Sequence, residues 1–361
     1  MKQQGFNLTK SLGIFILCFG IHTMALDFTY QTFRLLPHQA GFNPTKATSL
    51  LFVANSDEGI LWAGNQDFGR CTPLSKNESQ SQNQSIQEGI LQCKNLALKV
   101  ENGVITEVLT ANQQHKLNLE LLDSITLERH EVTYQYPKTP DTTTHALATI
   151  RFHCSKDSKI QKLLQTLYRE KFDCENAQRV FVESAQNSID KAFTTMAIEE
   201  RKDWKEIIEE FLKTSSFETN VADSLYYFDE NLLVFSINDY SYTGGAHGIS
   251  YQKSVIISKD NKILDLKTII DFNNPELKSL LWQAYQEYLK NIDEEGFVDF
   301  ESFNVSEVVL LDYDSFVFVY QPYELMPYAY GILKFRIPLE KMAQFQLKKF
   351  GKTPLQSLFA K

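Results

Sequence analysis

Tyr240-Ser-Tyr-Thr-Gly-Gly-Ala-His-Gly248 sets one histidine among three glycines within five residues. Glycine reaches positive φ angles and lets backbone approach closely, so such a loop can cradle a ligand or hold His247 at an exposed tip. An imidazole held there is suited to general-base work. The spacing matches neither a Walker loop nor the dinucleotide fingerprint, which needs G-x-G-x-x-G between a strand and a helix. A tight structural turn whose histidine packs on aromatic rings uses the same residues. The second conspicuous segment is Tyr320-Gln-Pro-Tyr-Glu-Leu-Met-Pro-Tyr-Ala-Tyr-Gly331, with four tyrosines and two prolines. Tyrosine joins a rigid apolar body to a polar tip and suits a recognition surface, and proline limits the entropy lost on binding. Tyr242, Thr243, Gly244, Gly245 and His247, with Tyr320, Tyr323, Tyr328 and Tyr330, are the candidate binding residues. Aromatic packing across a long β connection is the competing account.

No catalytic set, metal set or cofactor is expected. There is no G-x-S-x-G elbow, and His130-Glu131 lacks the second histidine of a zinc signature. None of His38, His115, His130, His145, His153 or His247 has a histidine four positions away. Acidic pairs such as Glu294-Glu295 are adjacent in sequence and do not face each other across a cleft as two glycosidase carboxylates do.

The address is written at the start of the chain. Residues 1–25 carry Lys2 and Lys10, an apolar stretch from Leu12 to Ile21, and Thr23-Met-Ala25 with small residues where a signal peptidase cuts. About ten apolar residues fall short of the ~20 that span a bilayer, and no later segment approaches that length. Leu17 before Cys18 argues against a lipobox. Cleavage after Ala25 removes Cys18 and leaves Cys71, Cys93, Cys154 and Cys174, an even set for an oxidising compartment. Three connectivities are possible, and the simplest is the local one, Cys71 with Cys93 and Cys154 with Cys174. The first pair closes the polar loop 75–87. The second works only if the helical pattern of Ile160, Leu163, Leu164 and Leu167 is about three turns long and Lys171-Phe-Asp-Cys174 folds back along it. A metal site is the rival use of four cysteines, but no C-x-x-C occurs and only His153 sits beside them.

The elements that carry these residues follow from patterning. The 361-residue chain is 43% hydrophobic and can bury one or two cores. Short runs such as Asp27–Phe33, Ser49–Val53, Gly59–Trp62 and the residues around Leu119 read as strands, and Leu96–Val100 with Val104–Val108 flank Asn102-Gly103 as a tight hairpin. Tyr136 to Thr144 is rich in proline and threonine and suits a linker. Helical patterns cover 158–169 and about 183–212, with Ile189, Phe193, Met196, Trp204, Ile207, Ile208 and Phe211 on one side and a break near Glu199–Asp203. Strands follow at Leu232–Ile237 and Tyr251–Ile257, then a helix announced by Asn274 and Pro275, then strands at Val308–Leu311, Ser315–Tyr320 and Ile332–Ile337. The expected fold class is α+β, a β-rich N-terminal region followed by an antiparallel sheet with packed amphipathic helices. The expected organisation is a signal peptide (1–25), a β-rich domain (26–130), a helical or α+β segment (131–220) and an α+β domain (221–361).

Tyr242-Thr-Gly-Gly-Ala-His-Gly248, Ile263-Leu-Asp-Leu266 and Pro322-Tyr-Glu-Leu-Met-Pro-Tyr-Ala-Tyr-Gly331 resemble the extracytoplasmic C-terminal domain of the RsiV family over about Ser224 to Phe350. Tyr134-Gln-Tyr-Pro137 and the helix from Asn187 resemble, over about Glu131 to Asn220, the small domain that precedes it in the peptidoglycan deacetylase PdaC. In RsiV the domain senses lysozyme outside the cell; in PdaC it accompanies a separate deacetylase domain. The chain lacks the cytoplasmic domain of an anti-sigma factor and the H-x-x-x-H ligands of the deacetylase. The resemblance therefore implies a secreted or periplasmic envelope protein, a non-catalytic binding or sensing module for a cell-wall glycan or a wall-acting protein such as a lysozyme. The formal charge of -9, which becomes -11 without Lys2 and Lys10, steers a basic protein and repels nucleic acid. The alternatives are a peptidoglycan-modifying hydrolase using His247, and a structural envelope protein that partners an outer-membrane component.

Overall fold

A computed structural model describes residues 22–35, 49–54, 59–63, 66–73, 88–93, 96–101, 104–110, 116–117, 119–136, 145–168, 172–200, 203–312 and 315–347. The apolar stretch 12–21 and the loop 75–87 lie outside them, as does 137–144 of the expected linker. Ten strands come first: β1 (His22–Leu35), β2 (Ser49–Ala54), β3 (Gly59–Ala63), β4 (Gln66–Pro73), β5 (Glu88–Cys93), β6 (Leu96–Glu101), β7 (Val104–Thr110), β8 (Lys116–Leu117), β9 (Leu119–Tyr136) and β10 (Ala146–Cys154). Three helices follow, α1 (Ser158–Tyr168), α2 (Ala177–Glu200) and α3 (Trp204–Phe211), then β11 (Phe217–Phe228), β12 (Leu232–Tyr242), β13 (Ile249–Ser258) and β14 (Lys262–Ile263). The chain continues through α4 (Pro275–Ile292), β15 (Val309–Leu311), β16 (Ser315–Tyr320), β17 (Leu333–Pro338) and the short α5 (Leu339–Met342). The fold is a mixed α and β one with largely antiparallel sheets, as the patterning predicts.

One sheet runs in the order β14-β13-β12-β11-β10-β9-β1-β2-β3-β4-β5-β6-β7-β8, so β9 and β1 join the N-terminal meander to the strands that bear the first loop. The β6–β7 hairpin forms as expected, with Glu101 opposite Val104 across Asn102-Gly103. Cys71 stands directly opposite Cys93 across β4 and β5, and Cys93 is disulfide-bonded. Residues 22–25, which the expected cleavage after Ala25 would remove, pair with β9 from His22 opposite Thr133 to Ala25 opposite His130, and Leu26 follows opposite Arg129. Position 131 lies inside β9, and position 221 inside β11.

β10 and β11 are parallel, and α1 to α3 form the crossover between them. α1 is 11 residues long, about three turns, and the chain then returns along it: both Gln161 and Gln165 donate side-chain N–H to the Phe172 carbonyl. That return meets the geometric condition for the second bridge, and Cys154 and Cys174 are joined with Cα atoms 5.5 Å apart. The second helical pattern is described as two helices, one ending at Glu200 and the next starting at Trp204. α2 nevertheless starts at Ala177 rather than near Glu183, because Ala177, Phe181, Ala185 and Ile189 recur every fourth residue and are all buried against the sheet.

Where β10 meets β11, a polar cluster is sealed inside the protein. His153 Nδ1 lies 2.7 Å from Asp223 Oδ1, and the Tyr168 hydroxyl donates to Asp223 Oδ2. The Tyr30 hydroxyl hydrogen-bonds His153 Nε2. The network assigns the imidazole as Nδ1–H donating to the carboxylate, with Nε2 accepting from Tyr30. Tyr30, His153 and Asp223 are 4%, 1% and 3% exposed, so the contact ties β1, β10, β11 and the end of α1 together out of reach of water. Burial, and then the charge of Asp223, push the Tyr30 phenol far above its ordinary value.

The C-terminal part builds a second core. Asn274 caps α4, its side chain accepting from Glu276 N–H, with Pro275 next, as the sequence announces. Leu277, Leu281, Tyr285 and Leu289 on one face of α4 are buried against the sheet β15-β16-β17. β15 also packs against β11, β12 and β13, which sets the two sheets together. No helix among the described residues is long and apolar enough to cross a membrane.

Two substitutions test this architecture. Asp223→Ala removes the acceptor that His153 and Tyr168 share and leaves the buried His153 imidazole without it, so urea unfolding should show a loss of about 3 kcal/mol or more. Asn274→Ala should cost about 1 kcal/mol on the same assay through the lost cap alone.

Candidate functional site

The β12–β13 hairpin, paired from Leu232 opposite Ser258 to Ser241 opposite Ile249, carries the loop 243–248 at its end. Gly244 has φ +86°, and a Cβ there would lie 2.8 Å from Ser215 Oγ, so this glycine is required twice over. A Cβ on Gly248 would lie 2.4 Å from the Tyr240 ring, which therefore lies against the loop backbone. Gly245 meets nothing closer than 3.9 Å, so the expected close approach falls on its two neighbours alone. His247 comes out exposed, its Nδ1 3.0 Å from the Gly248 carbonyl.

The second segment is brought to the same place by one side chain. β14 pairs only with Ile257 and Ser258, so the outer edge of β13 around Gln252 is open. The Gln321 side-chain amide fills it, accepting from Gln252 N–H and donating to Gln252 carbonyl, both at 2.8 Å. A glutamine amide thus stands in for a strand residue and satisfies edge groups that would otherwise need water. The following turn is closed by Glu324 N–H to Gln321 carbonyl, Tyr323 N–H to Met326 carbonyl, and Gln321 N–H to Glu324 Oε2. Tyr323 sits in it at φ +73°, a conformation costly for a residue with a Cβ and maintained by the hydrogen bonds on either side.

Together these elements stack the rings of His247 and Tyr328, with centroids 4.0 Å apart and planes 14° from parallel. The Tyr323 hydroxyl lies 3.3 Å from His247 Nε2, and its ring centroid is 6.1 Å from that of Tyr328. With Nδ1–H donated to Gly248 and Nε2 facing the Tyr323 hydroxyl, the His247 ring is pinned at both nitrogens in this arrangement. Tyr323 is 49% exposed and Tyr328 partly so, so the result is an aromatic platform open to solvent. Tyr240 lies under it; burial, with Glu218, Tyr328 and Tyr242 nearby, pushes its phenol up.

Not all the expected residues reach this surface. Tyr320 is 2% exposed, because every residue of β16 is buried between the layers; its hydroxyl donates to the Asn304 carbonyl and accepts from Ser306 N–H. It supports the turn from beneath and is not a contact residue. Tyr330 engages Glu294, beyond the end of α4, and that hydrogen bond pushes its phenol up. Thr243 is exposed and Tyr242 half-buried beside the platform, opposite Glu218. Four further residues were not singled out from the sequence: Tyr240, Gln252, Gln321 and Glu324. On the far side of the 321–326 turn a cleft of about 800 Å³, lined among others by Lys278, Asn304, Ser306, Tyr320 and Glu324, adjoins the site, and burial pushes the Glu324 carboxyl up.

Two family models match separate stretches of the chain. Residues 267–340, from before α4 to β17, match a family described as a protein of unknown function (DUF3298). Residues 128–250 match deacetylase PdaC, and that match runs on through β11 and β12 to include the 242–248 loop. Platform residues therefore come from both matched regions, His247 from one and Tyr323 and Tyr328 from the other. A comparison with curated proteins finds no match. Among solved structures, the chain is similar to a DUF3298 family member from Bacteroides fragilis, with 21% identity and a TM-score of 0.47 over 65% of this chain and 98% of that one. It is also similar to a DUF3298 family protein from Pseudomonas aeruginosa, with 15% identity and a TM-score of 0.41 over 62% of this chain and 94% of that one.

Proposed function

We propose that this chain is an extracytoplasmic, non-catalytic recognition module of the RsiV-like kind, which holds a cell-wall glycan or a wall-acting protein such as a lysozyme on the His247–Tyr323–Tyr328 platform. The observation that carries the reading is the platform itself: solvent-facing rings, stacked and hydrogen-bonded in place before any ligand arrives. Rings fixed in this way bind with little further loss of side-chain freedom, and tyrosine supplies both apolar area and a polar tip. His247 has its two nitrogens directed to a backbone carbonyl and a phenol. A general base is ordinarily oriented by a carboxylate and keeps its second nitrogen free for the reacting proton, so the arrangement favours binding over hydrolysis.

Two further features support an address outside the cytoplasm: the leader-like residues 1–25 and the Cys154–Cys174 bridge, which suits an oxidising compartment. The formal charge of -9 favours a basic protein ligand over a polyanionic one.

The test is retention of the mature protein on purified peptidoglycan and on immobilised lysozyme at low salt. Tyr323→Ala and Tyr328→Ala should each weaken retention by about 2 kcal/mol, roughly thirtyfold, while Lys290→Ala on the exposed side of α4 leaves it unchanged. If neither material is retained by the unaltered protein, the reading is wrong. Release of sugar or acetate from peptidoglycan that disappears in His247→Ala would replace it with the hydrolase.

A further inference from the structure

The register of β9 against β10 sets Glu128 opposite Cys154 and His130 opposite Phe152. Glu128 and His130 are two residues apart on one strand, as are Phe152 and Cys154 on the other, so all four side chains share one face. The disulfide brings Cys174 onto that face, and the ligand atoms of Glu128, His130, Cys154 and Cys174 all lie within 4.8 Å of one another. This convergence is remote from the aromatic platform and unused by it.

We propose that these four residues form a redox-gated site for a divalent metal ion of the zinc class, closed while the disulfide stands and opened when it is reduced. Three of the site's edges already have the right size. His130 Nε2 is 3.1 Å from Glu128 Oε2 and 3.2 Å from Cys154 Sγ, and Glu128 Oε2 is 3.8 Å from that sulfur. Neighbouring ligands in a tetrahedral zinc centre with sulfur, nitrogen and oxygen donors stand about 3.5 Å apart. Two sulfurs, one imidazole and one carboxylate are a donor set that zinc accepts.

The surroundings prepare the donors. His130 is 2% exposed and stacked on Phe152 at 5.1 Å, which fixes the ring plane. Its Nδ1 has no hydrogen-bond partner, so the ring is committed through Nε2, toward Glu128 and a sulfur that carries no proton. Burial, the largest influence on this imidazole, holds it below its ordinary value over the opposing influence of Glu128. Burial also pushes Glu128 up, but the hydrogen bonds and charges of Lys156 and His130 outweigh it and hold the carboxyl below its ordinary value. Lys156 Nζ takes Oε1 at 2.7 Å, leaving Oε2 directed at the cluster. Cys154 is fully buried while Cys174 and Glu128 are partly exposed, so reductant and ion have a way in on that side.

The step balances as follows. A protein dithiol attacks Cys174, passes two electrons and two protons to the bridge, and leaves as its own disulfide while the S–S bond becomes two thiols. The ion then displaces both thiol protons, and the imidazole proton moves from Nε2 to Nδ1 as Nε2 takes the metal.

The experiment compares oxidised and dithiol-reduced mature protein, each freed of reductant without air and titrated with cobalt(II). The reduced form should bind one equivalent, with the visible absorption of tetrahedral cobalt and a thiolate-to-cobalt band, and zinc should displace it; the oxidised form should show neither. His130→Phe, which keeps a ring on Phe152, should weaken cobalt binding roughly tenfold or more, and Glu128→Gln should alter the spectrum. A Cys71→Ala/Cys93→Ala variant should bind as the parent does. Should reduction unfold the chain, zinc must restore its near-ultraviolet circular dichroism. Absence of stoichiometric binding by the reduced protein, binding untouched by His130→Phe, loss of binding in the Cys71→Ala/Cys93→Ala variant, or failure of zinc to refold a chain that reduction has unfolded overturns the proposal.

Discussion

Asp223 carries its carboxylate into the protein with a side chain 1% exposed, and its charge is met there by His153 and Tyr168. A carboxylate in such surroundings is tolerable only when its oxygens are hydrogen-bonded, so β11 has one acceptable position along β10. That position is consequential because the later strands of the same sheet are laid down on β11. β12 pairs with it, β13 with β12, and Gln321 with the open edge of β13. A slip of β11 by one residue would reverse the faces of the hairpin that ends in His247. The aromatic platform at the surface thus depends on a buried hydrogen-bonded contact that it never touches.

The same division of labour recurs at the platform. The rings face solvent, while backbone geometry and amides behind them do the positioning: Gly244 at positive φ, Gly248 under Tyr240, and the Gln321 amide acting as a surrogate strand. A surface of this kind is rigid because its supports are buried, and rigidity before binding is what converts exposed aromatic area into affinity. The match with deacetylase PdaC reaches the first of its loops and the match with DUF3298 the second, so the platform exists only where the two regions are folded against each other.

Much of this was legible in the residues. Asn274-Pro275 names the start of α4, Asn102-Gly103 names a hairpin, and the Ile160–Leu167 spacing sets a helix short enough for the Cys154–Cys174 bridge. Grouping the two tyrosine- and glycine-rich segments rests on the glycine loop and aromatic density together with the family resemblance. The failures have physical causes. β11 reads Phe-Glu-Thr-Asn-Val-Ala-Asp-Ser, too polar for a strand, because Asp223 and its neighbours are matched by partners distant in sequence. Tyr320 and Tyr323 look alike in composition but differ in burial, because one ends a strand whose every residue is enclosed and the other tops a turn. Glu128 and His130 have no local signal at all, since only the β9–β10 register carries them to the cysteines.

The central claim is that the platform meets a partner outside the cell, and a photo-crosslinking amino acid placed at position 323 in living cells addresses it most directly. The account predicts covalent capture of wall glycan or of a wall-acting protein from position 323 and none from position 290 on the exposed side of α4, with mass spectrometry identifying what is captured. Equal capture from both positions, or none from 323, would contradict it.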